Sequence, residues 1–279
     1  MTSAQERALI FECQNDYLTG IIHSPHETSS VGVVILVGGP QYRVGSHRQF
    51  ILLARNLADC GITTFRFDYR GMGDSTGKPR NFDDTGTDIR SAIDTLIKAA
   101  PSIERVVLWG LCDGATAATF YSVQDPRVSG LVLANPWLRT EQTQAQTHLK
   151  HYFRQRLMQA EFWYKLFSKR SQFLSAIGSL IEQIRLSRVK TPSSVQLPDR
   201  VFASLAEFSG RVLILLSGND LTAQEFSIAA NSSPAWRKLL CQTRFTQHEL
   251  PGADHTFSSR IWRDQVASWT SEWIVKSAN

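Results

Sequence analysis

A cysteine between two glycines is the feature of this sequence best suited to nucleophilic chemistry. Cys112 lies in residues 110–114 (GLCDG), after a run of apolar, β-branched residues and before a stretch of small residues. A nucleophile on a sharp strand-to-helix turn needs neighbours without bulk two positions before and after it, and the glycines meet that need. At a helix start, free N–H groups and the helix dipole favour a thiolate. The pattern predicts Cys112 as a nucleophile, and a small buried side chain is the alternative.

A thiol with an ordinary pKa is mostly protonated at neutral pH, so Cys112 needs a base. His255 lies in residues 251–257 (PGADHTF), between the last strand-like run and the last helix-like stretch. Asp220 follows the run RVLILL, at the edge where open α/β sheets bind ligands. The chain order nucleophile, acid, histidine is the one expected for this arrangement. We predict that His255 takes the proton of Cys112 and that Asp220 orients His255, with Asp254 as a competing acid.

Alternating strand-like and helix-like segments must position these three residues. Short apolar runs alternate with amphipathic stretches, a pattern typical of βαβ units and a mostly parallel sheet. We predict an α/β fold with a mostly parallel eight-stranded sheet, helices on both faces and a helical cap insertion. Strands are expected at residues 7–13, 17–23, 31–37, 63–67, 105–109, 130–135, 211–216 and 243–250. Helices are expected at residues 47–59, 83–99, 115–123, 223–230 and 261–275.

A long segment without a strand pattern separates the sixth and seventh predicted strands. We assign residues 1–137 and 209–279 to the core and residues 138–208 to a helical cap over the Cys112 site. The cap holds eleven Lys and Arg against five Asp and Glu, together with many aromatic residues. Two interpretations stay open: an ordinary lid with a solvated basic face, or a lid that recruits an anionic or acyl-bearing substrate.

Composition argues against several other classes of protein. Hydrophobic residues make up 42% and charged residues 20% of the 279 residues, which is typical of a globular protein. The sequence shows no signal-peptide pattern, no apolar run long enough to span a bilayer and, at a net charge of +5, no recognisable nucleic-acid-binding module. No zinc or disulfide pattern joins the four cysteines, Cys13, Cys60, Cys112 and Cys241. We expect a cytoplasmic protein without metal, cofactor, nucleic-acid partner or integral membrane segment; its oligomeric state stays open.

The motifs, taken in chain order, resemble those of the α/β-hydrolase superfamily. Gly38-Gly39 is similar to the turn after the third strand, and residues 67–75 (FDYRGMGDS) are similar to the loop D-x-R-G-x-G-x-S. A closer resemblance is to the hydrolase 1 group associated with the exosortase A system. Residues 38–50 (GGPQYRVGSHRQF), residues 65–77 (FRFDYRGMGDSTG) and the elbow cysteine carry it. This resemblance implies a hydrolase of unsettled substrate, with cysteine in place of the usual serine.

The resemblance also implies an oxyanion hole made of two backbone N–H groups. The first is that of Asp113, and the second lies in the loop after the third strand. Because Pro40 has no N–H, Gln41 is the candidate for the second donor, with Gly39 behind it. The candidate substrate-binding residues are Gly39, His47 and Trp137.

The predicted reaction is hydrolysis of an ester or thioester through an acyl-enzyme on Cys112. The substrate would be a small molecule or an acyl group linked to a carrier. An acyltransferase with the same triad is an alternative, because a thioacyl enzyme can pass its acyl group to a sugar hydroxyl or an amine in exopolysaccharide-related metabolism. A non-catalytic binding protein that retains the fold is a second alternative.

Overall fold

An eight-stranded sheet forms the centre of the chain. The structure is a computed structural model that describes residues 5–26, 29–39, 41–138, 196–231 and 233–278. The strands are β1 Gln5–Cys13, β2 Asp16–Ser24, β3 Val31–Leu36, β4 Thr64–Phe67, β5 Arg105–Leu111, β6 Val128–Ala134, β7 Arg211–Ser217 and β8 Phe245–Leu250. Their order across the sheet is β1-β2-β4-β3-β5-β6-β7-β8. The β1–β2 and β2–β4 pairs are antiparallel and the other five pairs are parallel, which confirms the predicted fold class.

Helices cover the two faces of this sheet. In the described residues they are α1 Gln49–Asp59, α2 Gly86–Ala99, α3 Asp113–Ser122, α4 Leu197–Glu207, α5 Leu221–Asn231, α6 Pro234–Leu240 and α7 Arg260–Ala278. The chain moves one way across the sheet from β3 to β4 and the other way from β4 to β5. Because such crossovers are right-handed, α1 and α2 lie on opposite faces. The closing helix α7 packs on α1, whereas α3 packs on α2 and α4.

The burial of the strands follows from this double cover. All six residues of β3 are buried, and in β7 every residue except Arg211 is buried. Strands with both faces covered need continuous apolar runs, which is why VGVVIL and VLILL lack polar alternation. The edge strands are less covered: β1 is exposed over residues 5–8 and buried only at Phe11 and Cys13, and β8 has only exposed and partly buried residues. No helix in the described ranges is long and apolar enough to cross a membrane.

The structure differs from the sequence-based expectation in a few elements. The short helix α6 was not predicted; the Ser233 side chain accepts the N–H of Trp236 and so caps its first turn. Helix α3 begins at Asp113, two residues earlier than predicted, so it starts directly after the proposed nucleophile.

The predicted cap lies mostly outside the described residues. Its last part is the described helix α4, which packs on α3 and buries Val201 and Leu205. The boundaries of the cap and its place over the Cys112 site stay predictions.

Candidate active site

Cys112 forms the turn between β5 and α3. Its backbone has φ 58° and ψ −123°, a strained conformation for a residue with a side chain. The N–H of Cys112 donates to the carbonyl of Ala134, at 2.9 Å, and its own carbonyl accepts the N–H of Ala115 at 3.1 Å and of Trp137 at 3.2 Å. These bonds tie the turn to the end of β6 and to the first turn of α3. The side chain of Cys112 is partly buried.

Two glycines make this turn possible. A Cβ at Gly110 would lie 2.5 Å from the backbone N of Ala115, and a Cβ at Gly114 would lie 2.7 Å from the carbonyl oxygen of Leu36. Both distances are far below van der Waals contact with backbone atoms, which cannot turn away. The spacing of glycines seen in the sequence is therefore a steric requirement of the elbow.

Replacing Gly114 by alanine should lower the free energy of unfolding by about 1–3 kcal/mol, because the new Cβ would push the elbow away from the end of β3. Urea denaturation measures the change. The matched control is Gly86→Ala at the start of α2, where a Cβ would sit 3.7 Å from the Tyr121 ring, an ordinary contact. The control should be neutral or stabilising by about 0.4–1 kcal/mol. Equal losses in both variants would contradict the steric explanation.

Asp220 and His255 face each other across two loops at the same edge of the sheet. His255 Nδ1 lies 3.0 Å from Asp220 Oδ2. The same carboxylate oxygen accepts the N–H of Ala223 at 3.0 Å, so Asp220 also caps α5. Because Asp220 is buried and held by the helix, it presents a fixed acceptor to the imidazole.

Cys112 also acts on His255, because its hydrogen bonding and charge both raise the pKa of the imidazole. Burial acts to lower the pKa of His255, but the hydrogen bonds and charges of Asp220 and Cys112 outweigh it and raise that pKa to about 10. These interactions favour the protonated form of the imidazole. The structure places His255 beside Asp220, and the role of Cys112 as their partner stays a prediction.

Asp254, the other candidate for the carboxylate that orients His255, makes its hydrogen bonds within its own loop. Its Oδ1 accepts the N–H of Thr256 at 3.2 Å and of Ser258 at 3.0 Å, and its Oδ2 accepts the Ser258 hydroxyl. Burial acts to raise the pKa of Asp254, but these bonds and the charge of His47 lower it. Asp254 thus shapes the loop that carries His255, whereas Asp220 contacts the imidazole.

Asp113 makes an unexpected bond at the elbow. Its Oδ1 accepts the N–H of Gly39 at 2.6 Å, and a Cβ at Gly38 would lie 2.7 Å from the same oxygen. Burial raises the pKa of Asp113, partly offset by the N–H groups of Gly39 and Gly114. The carboxylate joins the elbow to the loop after β3. Of the two candidate second donors, Gly39 is thus already engaged in the structure.

Hydrogen bonds and ion pairs of Gln41 and Arg43 also hold the loop after β3 in place. Gln41 accepts the N–H of Ser46 within the loop, at 3.4 Å. The backbone N–H of Arg43 donates to Asp68 Oδ1 at 2.6 Å, and the Arg43 guanidinium pairs with Asp68 and Asp74. The D-x-R-G-x-G-x-S loop therefore braces the segment in which the resemblance implies an oxyanion donor.

Trp137 lies against the elbow. Its N–H donates to the Cys112 carbonyl, its own carbonyl accepts the Thr116 hydroxyl at 2.8 Å, and its indole stacks at 6.4 Å on Phe82. Phe82 stacks in turn on Phe120 at 6.3 Å. These contacts place a row of three aromatic side chains beside the turn at Cys112.

His47 lies on the other loop, after β3, in a left-handed conformation with φ 53°. Positive φ at residues with side chains occurs in the described chain at Gln14, His47, Arg48, Cys112, Asn135 and Phe257. Two of them, Cys112 and Asn135, directly follow the parallel strands β5 and β6.

Two polar residues at the sheet edge were missed by the sequence analysis. Asn135 and Ser217 follow or end the apolar runs of β6 and β7, and both are buried. The sequence feature that could have identified Asn135 and Ser217 is a polar residue directly at the end of an apolar strand. No group of three or more His, Cys, Asp or Glu in the described chain is placed to hold a metal ion.

The eight-stranded, mostly parallel sheet is that of an α/β-hydrolase fold. The chain belongs to the family described as serine aminopeptidase, S33, whose sequence model matches residues 28–223. The superfamily predicted from the motifs is thereby confirmed. The family description names a serine enzyme, and the elbow of this chain carries Cys112.

Curated relatives match the chain in part. Human protein ABHD12B is 39% identical over 87 residues, which are 31% of this chain and 23% of the relative. A polyketide transferase, grgF, of a Penicillium species is 32% identical over 88 residues, which are 30% of each protein. The matches therefore span less than a third of either relative.

The fold as a whole is similar to that of the esterase Pf2001 of Pyrococcus furiosus. The TM-score is 0.67, and the alignment covers 98% of this chain and 93% of the esterase. The identity is 14%, so this similarity concerns the fold.

Proposed function

We propose that this protein hydrolyses an ester or thioester with Cys112 as the nucleophile, His255 as the base and acid, and Asp220 as the orienting carboxylate. The observation that carries the proposal is the 3.0 Å contact of His255 with Asp220, together with the strained turn at Cys112, which acts on the pKa of His255. Membership in a hydrolase family and the fold shared with an esterase support the same reaction class. A small-molecule or acyl-carrier-linked substrate and a cytoplasmic location remain predictions.

The first half of the reaction begins when the proton of Cys112 is on His255. The Cys112 thiolate forms a bond to the acyl carbon, and the carbonyl π electrons move onto its oxygen. When the carbonyl re-forms, the alcohol or thiol leaves with the proton of His255. We propose the N–H of Asp113 and a second N–H, from Gln41 or Gly39, as the donors to the transient oxyanion.

The second half depends on a change in the basicity of His255. Two of the contributions that raise the pKa of His255 to about 10 come from Cys112. Acylation of the sulfur removes both, so the pKa falls and the neutral imidazole can take a proton from water. The hydroxide formed attacks the thioacyl carbon, the acid leaves, and Cys112 departs as a thiolate beside reprotonated His255.

Acyl transfer is the alternative that a specific observation favours. One partial relative is a polyketide transferase, and a thioacyl enzyme can donate to a hydroxyl or amine as well as to water. The resemblance of residues 38–50 and 65–77 to the exosortase-associated hydrolase 1 group would place such an acceptor among sugars. Product analysis of graded p-nitrophenyl esters and acyl thioesters, with and without a sugar acceptor, distinguishes hydrolysis from transfer.

Iodoacetamide labelling tests the activated cysteine directly. At pH 7 we expect Cys112 to be alkylated roughly tenfold faster than Cys60 or Cys241, because His255 is proposed to take the proton of its thiol as the sulfur reacts. Cys60 and Cys241 are exposed free thiols and serve as controls within the same molecule. Peptide mass spectrometry of timed samples gives the three rates.

The same experiment addresses the non-catalytic alternative. His255→Ala should bring the rate of Cys112 down to or below that of the two exposed thiols. If Cys112 in the wild-type protein reacts no faster than Cys60, the nucleophile assignment fails and a binding protein becomes the better reading.

A further inference from the structure

Three loops at the carboxyl edge of the sheet meet at one buried amide. Asn135 follows β6, its side chain is fully buried, and its backbone has φ 44°. Its Oδ1 accepts the N–H of Ser217 at 2.8 Å. Its Nδ2 donates to the Ser217 hydroxyl and to the backbone carbonyl of His255, both at 2.9 Å. One side chain therefore links the ends of β6 and β7 to the loop of His255.

Ser217 connects Asn135 to the segments that carry Asp220 and His255, the two proposed partners of Cys112. It is the last residue of β7, three positions before Asp220. Its hydroxyl donates to the carbonyl of Asp254 at 2.8 Å, next to His255 in the chain. The N–H of Asn219 also donates to the carbonyl of Ala253 at 2.9 Å.

We propose that Asn135, acting with Ser217, is a positioning residue that sets the place of His255 relative to Cys112 and Asp220. The proposal rests on the proposed function, since it assigns a role within the same Cys-His-Asp site. Asp220 orients the imidazole ring, and Asn135 holds the backbone from which that ring projects. Without the hydrogen bond from Asn135 to the His255 carbonyl, the imidazole could keep its bond to Asp220 while His255 and Asp220 moved together away from the sulfur of Cys112.

Few residue types meet the demands of this position. A φ of 44° favours Gly, Asn or Asp. The contacts need one acceptor, for the N–H of Ser217, and two donated hydrogens, for the Ser217 hydroxyl and the His255 carbonyl. An ionised Asp has no hydrogen to donate and Gly has no side chain, so Asn alone supplies both with this backbone.

Two variants test the proposal in the full-length protein. Asn135→Gly keeps the backbone conformation and removes the amide, and Ser217→Ala removes the hydroxyl alone. We expect Asn135→Gly to lower kcat for a p-nitrophenyl ester about 100-fold with KM within about threefold, because a displacement near 1 Å has an effect of this size. Ser217→Ala should lower kcat about 10-fold.

A second measurement does not depend on turnover. Titration of His255 followed by NMR should give a pKa near 10 in the wild-type protein and a lower value in Asn135→Gly, as the imidazole loses Asp220 and Cys112. A purely structural role would lower stability and leave the titration of the folded molecules unchanged. The matched control is Tyr121→Phe, which removes a buried bond to Asp125 at the far end of α3 from Cys112.

The outcomes separate this inference from the proposed function. An inactive wild-type protein with an ordinary His255 titration overturns the proposed function. An active wild-type protein whose Asn135→Gly variant keeps both kcat and the His255 titration overturns the positioning role. Should Asn135→Gly not fold, Ser217→Ala decides in the same way: a lower kcat and pKa support the role, and unchanged values overturn it.

Discussion

Cys112→Ala should lower kcat/KM by about 10⁴-fold or more, because it removes the only atom proposed to form a bond with the acyl group. Stability should change little, since the side chain is partly buried and alanine fits the same turn. The measurement is steady-state hydrolysis of the best ester or thioester found in the substrate screen, with thermal unfolding of both proteins alongside.

Cys112→Ser is the informative companion to this change. It keeps the turn, His255 and Asp220, so we expect weak ester hydrolysis, above Cys112→Ala and below the wild-type protein. Wild-type activity in Cys112→Ala would remove cysteine catalysis from consideration, whatever the geometry of the site.

His255→Ala should lower kcat/KM nearly as much, by about 10⁴-fold, because both halves of the reaction move a proton through this ring.

The same variant tests the raised pKa of His255 through the pH dependence of the free energy of unfolding. A folded-state pKa near 10, against 6.5 for the free side chain, stabilises the fold fully below pH 6.5, and the effect is lost as pH rises to about 10. The stability difference between wild type and His255→Ala should therefore shrink from pH 6 to pH 10 in urea denaturation. A constant difference would contradict the raised pKa.

The fold was predictable because it follows from local patterns. Continuous apolar runs marked β3 and β7 as buried parallel strands, and amphipathic stretches marked α1, α2 and α7 as helices. The spacing of Gly110 and Gly114 predicted the elbow, and its steric reason is visible in the structure. Positions directly after strands predicted that Cys112, Asp220 and His255 meet, since the carboxyl ends of parallel strands share one edge.

The features that escaped prediction depend on residues far apart in the chain. Asn135 contacts Ser217 and His255 over 82 and 120 positions, and Asp113 contacts Gly39 over 74. No local periodicity encodes such bonds, because they depend on how closely separate loops approach. The helix α6 was missed for a different reason: seven residues are too few to show amphipathic periodicity.

The hydrogen bond between Asp113 and Gly39 limits which substrate oxygen atoms could accept the Gly39 N–H. The carboxyl group of Asp113, tethered to the neighbouring turn, already accepts the Gly39 N–H at 2.6 Å. A neutral ester oxygen is a weaker acceptor than a carboxylate and would displace it poorly, whereas an oxygen that has gained full negative charge competes on equal terms. A Gly39 N–H held in this way would bind the negatively charged oxyanion more tightly than the neutral carbonyl of the substrate. We therefore expect this loop to contribute little to the binding of the intact ester.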